Sequence, residues 1–166
     1  MIKTRLRDFL ITTDDWIFAV ADYFHPQGIR STLRYVPDEN GERELNGIRY
    51  RKYDFDDAFE FMRKNRPQWV QDVHVVPENH IKKVLHPPDR IPELFRKDRR
   101  IAAIVGVLQA AGIPLSKMGV TGSLLPGLQN ETSDIDFVVY GSAWFEARDA
   151  VSVAKSKSET IEDISE

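Results

Sequence analysis

The chain of 166 residues contains no cysteine, which removes disulfides, thiolate zinc sites and thiol nucleophiles together. That also fits an intracellular compartment. No run approaches the roughly 18 apolar residues needed to span a bilayer. The charged start, Met1 to Asp8, is followed by no apolar stretch of signal-peptide type. The sequence therefore reads as a cytoplasmic protein with no membrane partner. An excess of one charge is missing too. The formal net charge is −3, without the basic footprint of a dedicated nucleic-acid binder. Histidines are few, and His25, His74, His80 and His86 are never three or four residues apart, so no helical ligand pair exists.

What is present suffices for a core, with 42% hydrophobic and 30% charged residues. The length suits one domain or two small ones. Prolines at 87, 88 and 92 stiffen a seam and break helices. The expected division is a β-meander-rich lobe over 1–88 and a second lobe over 89–166.

In the first lobe, Phe9 to Thr12 and Trp16 to Val20 flank Thr13-Asp14-Asp15 as a hairpin. Ile29 to Val36 alternates in the period of a half-buried strand. Ile48 to Tyr53 is a further strand, after a turn at Asp38 to Gly41. Asp54 caps a helix from Phe55 to about Asn65. Val73 to Val76 reads as a short strand and Glu78 to Leu85 as a short helix. In the second lobe, a long helix runs from Glu93 to Ala111 and stops at Gly112. Lys117 to Thr121 reads as a strand, Ser123 to about Leu128 as a brief helix and Asp134 to Tyr140 as a strand. Ser142 caps a closing helix over 143–154. The fold class expected is α+β: a small mixed sheet with helices on one face, preceded by an antiparallel, β-rich α+β lobe.

One stretch carries chemistry. Gly122-Ser123 follows a strand and opens a turn, and Asp134-Ile135-Asp136 follows after a spacer of ten residues. Glycine lets backbone approach a ligand closely. The N–H groups at a helix start favour an anion, and the Ser123 hydroxyl adds a donor. On the strand, Ile135, Phe137 and Val139 face a core. Asp134 and Asp136 face the other way, roughly 7 Å apart along the strand. Two such carboxylates suit Mg²⁺, which is held by one or two carboxylates, waters and phosphate oxygens.

Val120 to Val139 resembles the polymerase-β-type nucleotidyltransferase superfamily, whose signature is a Gly-Ser turn, a spacer and Asp-x-Asp on an apolar strand. The whole chain is also similar to an uncharacterised archaeal branch of predicted nucleotidyltransferases. The resemblance implies a nucleoside triphosphate donor, Mg²⁺ or Mn²⁺, and attack of a hydroxyl on the α-phosphate. It implies that Gly122 and Ser123 bind the triphosphate and that Asp134 and Asp136 bind metal as the catalytic acids. The acceptor is a nucleic acid, a protein or a small molecule. The superfamily places a third carboxylate on a later strand, and nothing after Tyr140 reads as that strand. The chain is therefore expected to be an N-terminal fragment, with its second lobe incomplete.

Blander readings stand beside this one. The fold can persist as an inactive nucleotide- or RNA-binding module, or as an antitoxin-like partner. Arg30, Arg34, Arg49 and Arg51, with Tyr50 and Tyr53, form either an RNA-stacking platform or ordinary charge on strand edges. Asp54, Asp56, Asp57 and Glu60 suit a helix start better than a calcium loop. Arg96 to Arg100 reads as a solvated helix face, and Trp16, Trp69 and Trp144 as packing aromatics.

Overall fold

The computed structural model describes residues 2–141 together with 148 and 149. The closing helix expected over 143–154, Trp144 and the polar tail lie outside the described residues, Arg148 and Asp149 apart. Two compact units are present: Met1–Leu85 with Pro126–Glu131, and His86–Leu125 with Thr132–Glu166. Helices and a mostly antiparallel set of strands make the class α+β, as expected. No helix among the described residues is long and apolar enough to cross a membrane.

The first unit is built on β1 (Phe9–Thr12), β2 (Ile17–Val20), β3 (Ile29–Pro37), β4 (Arg43–Leu45), β5 (Ile48–Lys52), β6 (His74–Val76) and β7 (Ile81–Leu85). The sheet order is β4-β5-β3-β2-β1-β7, with β6 also paired to β3. The hairpin of β1 and β2 places Leu10 opposite Phe18. Its turn is closed by Thr12, whose hydroxyl donates to Asp14 and accepts from the Trp16 N–H. Helix α1 (Phe55–Asn65) starts where Asp54 accepts from the Asp57 N–H at 2.9 Å. Its buried face is Ala58, Phe59 and Met62, of which Ala58 and Met62 pack with Leu10, Phe18 and Leu33 into one core. At the end of α1 the Arg66 guanidinium lies 3.8 Å from the Trp16 ring centroid and 4.5 Å from that of Trp69, and pairs with Asp14. Trp16 and Trp69 are thus packing aromatics, as read from sequence.

Two expectations fail here. The stretch Glu78 to Leu85 is not a helix: a 3-10 turn over Glu78–His80 leads into β7, antiparallel to β1. A helix this short gains little by itself, whereas β1 offers a ladder of backbone partners. Strand β4 was not foreseen. Its signal was present in Asn46-Gly47, with φ of 52° and 82°, the positive pair that a two-residue hairpin demands.

His74 is fully buried against the rings of Phe59 and Phe18. Its Nδ1 accepts from the Leu33 N–H at 2.9 Å, so Nε2 carries the proton, and Nε2 has no partner among the described residues. Burial, with Arg63 nearby, pushes its pKa down from 6.5 to about 4. The unfolded chain therefore binds an extra proton between those values. Stability from the neutral imidazole is complete above pH 6.5 and is lost as pH falls toward 4. On the order of 3 kcal/mol is at stake. Urea midpoints should fall from pH 7.5 to pH 4.5, and less so in His74→Gln. An imidazole signal of His74 titrating near 6.5 would refute this. His25, also shifted down by burial, adds in the same direction.

In the second unit, helices α2 (Ile91–Lys97) and α3 (Arg99–Ala110) replace the one long helix expected from Glu93. Asp98 separates them in extended conformation (φ −120°, ψ 114°), and its carboxylate accepts from the Arg100 N–H at 2.9 Å. An aspartate able to cap the second helix outcompetes continuation of the first. Ile101, Ile104, Val105 and Leu108 of α3 pack with Ile91 and Leu94 into a core that also holds Val120, Ile135 and Phe137. Strands β8 (Met118–Thr121) and β9 (Asp136–Val139) form an antiparallel pair. The parallel pairing of a mixed sheet is not among the described strands.

Candidate functional site

Strand β8 is buried at every residue, so it enters the unit as an apolar spine through Met118 and Val120. Its register with β9 sets Val120 opposite Phe137 and Thr121 opposite Asp136. The last residue of β8 therefore meets the first residue of β9. Gly122 comes next, and its φ of +66° turns the chain in a way that L side chains rarely follow. The Asp136 carboxylate lies directly over this glycine. A Cβ added to Gly122 would overlap Asp136 Oδ2 and sit 3.1 Å from its Cγ. Fourteen positions apart in sequence, Gly122 and Asp136 are one place in the fold.

Ile135 and Phe137 are buried in the core, while Asp134 is exposed and Asp136 half-buried. This alternation leaves both acids off the core, as the sequence pattern required. Three details differ from expectation. The strand begins at Asp136, so Asp134 precedes it. The helix expected from Ser123 is a 3-10 turn of three residues, Gly122–Leu124, too short to present a helix end to an anion. The corner is also not open: Ser123 is only 8% exposed, and Leu124 joins the core beside it. The apolar Leu124 and Leu125 draw the turn inward. What the corner itself offers is the Gly122 backbone and the Ser123 hydroxyl, without a helix dipole.

Arg90, which the sequence reading passed over, touches this turn. Its Nε donates to the Leu124 carbonyl at 3.1 Å, and its Nη1 donates to Glu93 at 2.5 Å. Glu93 also accepts from Lys97 at 3.0 Å, and the two cations hold its carboxyl below the usual range. The spacing of three and then four residues on a helix was the available signal.

The remaining sequence candidates do not assemble. No group of three or more His, Asp or Glu capable of holding a metal occurs among the described residues. Arg30 pairs with Asp22 at 2.8 Å and Asp72 at 2.5 Å, and Arg51 with Asp38 at 2.8 Å. Arg49 donates to the Gly41 carbonyl, Tyr50 is buried, and Tyr53 packs on Phe61 at 4.8 Å. Arg30, Arg49, Arg51, Tyr50 and Tyr53 of the stacking platform read from sequence are thus engaged inside the first unit. Asp54 caps α1, and Asp56 and Asp57 occupy its first turn.

Residues 101–166 match the family model described as nucleotidyltransferase domain. The resemblance carried by Val120 to Val139 lies within that match and is borne out. An uncharacterised protein of Methanocaldococcus jannaschii is 34% identical over 167 residues, covering 84% of this chain and 48% of the relative. The chain thus spans about half the length of the curated relative it matches. No solved structure matches the chain.

Proposed function

We propose, from the premise that residues 101–166 carry a nucleotidyltransferase domain, that the second unit binds a nucleoside triphosphate with a divalent cation for transfer to a hydroxyl acceptor. The observation that carries this reading is the apposition of Gly122 and Asp136. Gly122 and Ser123 hold phosphate, and Asp134 and Asp136 supply the carboxylates for Mg²⁺ or Mn²⁺. The donor set fits such an ion. Two carboxylates, one exposed and one half-buried, leave the other positions to water and phosphate oxygens, as Mg²⁺ prefers. Bound there, the cation would neutralise charge on the triphosphate. The chain's own contribution is positioning. Antiparallel pairing of Thr121 with Asp136 fixes the phosphate corner and the acid side by side, and Ile135 and Phe137 anchor the acids from beneath. The acceptor hydroxyl belongs to a nucleic acid, a protein or a small molecule.

The burial of Ser123 favours a second reading, in which the unit binds nucleotide but does not turn it over. One experiment separates the two. Each of the four nucleoside triphosphates is titrated into the protein with Mg²⁺ and again with chelator, and pyrophosphate release is followed. Binding at least tenfold tighter with Mg²⁺ supports the site, and pyrophosphate release adds catalysis. Absent binding refutes both readings, and binding indifferent to the metal refutes the first.

A further inference from the structure

We propose that Arg90 is a positioning residue that holds the Gly122–Leu124 turn in the shape needed for phosphate; this rests on the function proposed above. The turn is poorly held by its own backbone. Its closing bond, from the Leu125 N–H to the Gly122 carbonyl, is long at 3.3 Å, and the positive φ of Gly122 prevents a helix from stiffening it from the N-terminal side. The guanidinium of Arg90 supplies a charge-assisted bond to the Leu124 carbonyl, the far end of the same turn.

Both ends of this clamp are fixed. Arg90 closes a 3-10 turn over Pro87–Arg90, stiffened by two prolines. That turn is seated on β8 at Gly119: a Cβ there would lie 2.5 Å from Pro87 Cβ and 2.7 Å from its carbonyl carbon. The base of Arg90 thus rests on the strand that runs into the turn. At the other end, Glu93 grips Nη1 and is itself held by Lys97, which orients the guanidinium plane toward Leu124. Glu93 and Lys97 are substantially exposed, so the ion pairs contribute little to stability. Their effect is one of direction. Loss of the clamp should therefore appear at the turn and not in the melting temperature.

The test uses Mg²⁺ with inorganic triphosphate, a probe that reports the phosphate end and ignores the base. Arg90→Met keeps the bulk of the side chain and removes every donor, Arg90→Lys keeps charge and a donor, and Glu93→Gln leaves Arg90 in place without its ion pair. The expected result is a tenfold or greater loss of affinity in Arg90→Met, most of it recovered in Arg90→Lys, and a smaller loss in Glu93→Gln. The Gly122 and Ser123 amide signals should shift in step with those losses. Affinity within twofold of the wild type in Arg90→Met overturns the proposal. If Arg90→Met does not fold, unchanged affinity and amide signals in Glu93→Gln overturn it instead. A wild-type protein without affinity for Mg²⁺-triphosphate overturns the proposed function first, and the positioning role with it.

Discussion

Asp136→Ala is expected to abolish Mg²⁺-dependent binding of nucleoside triphosphate while leaving the chain folded. The carboxylate stands at the first residue of β9, opposite Thr121 and over Gly122, where the turn and the acid pair converge. Partners that merely orient a metal ligand are worth about 10–100-fold in affinity, and a direct ligand is expected to cost no less. The neighbouring anchors, Phe137 at 1% and Ile135 at 7% exposure, keep their burial, so β9 should remain paired. Asp136→Asn sharpens the test, since it preserves size and removes charge. Its binding should fall nearly as far. Isothermal titration of both variants with and without Mg²⁺ decides the matter, and wild-type affinity in Asp136→Asn would sink the assignment.

The second large effect is a contrast between two glycines. Gly119→Ala is expected to destabilise the second unit by about 3 kcal/mol, the upper part of the range for overpacking. The new Cβ would meet Pro87 and the Pro88 nitrogen within 2.9 Å, and a proline ring and backbone cannot swing away. Gly122→Ala meets a different neighbour, the end of the Asp136 side chain, which can rotate. Its stability cost should come mainly from the φ of +66°, about 1–2 kcal/mol. Rotation of that carboxylate takes it away from the corner, however, so metal-dependent binding should be lost in a protein that still folds. Urea unfolding and titration together should show Gly119→Ala losing stability and Gly122→Ala losing the ligand. A Gly122→Ala variant with wild-type binding would mean that the carboxylate position is immaterial.

How much of this was legible beforehand follows from the range of the interactions involved. The strand read from alternation over Ile29 to Val36 and the Asp54 cap of α1 are local, and both appear as read. Asp98 was visible but misjudged: helical periodicity runs through it, and only its carboxylate on the Arg100 N–H ends one helix and starts another. The strand at Ile81–Leu85 owes its form to β1, some seventy residues earlier, which no local pattern announces. At the candidate site, the spacing of Gly122 and Asp136 suggested proximity, and the register of β8 with β9 supplies it. The burial of Ser123 was illegible, because it depends on where Leu124 and Leu125 pack.

Six of the ten residues between the serine and the first acid do not stay with their flanks. Pro126–Glu131 cluster with the first unit, where Leu128 is fully buried and its carbonyl accepts from Arg43 at 2.7 Å. The loop is therefore a tether whose two roots are the Gly122–Leu124 turn and the stretch that carries Asp134 and Asp136. It follows that the halves cannot be separated by one cleavage at the proline seam: the piece beginning at His86 would carry away a leucine stripped of its cover and a carbonyl stripped of its donor.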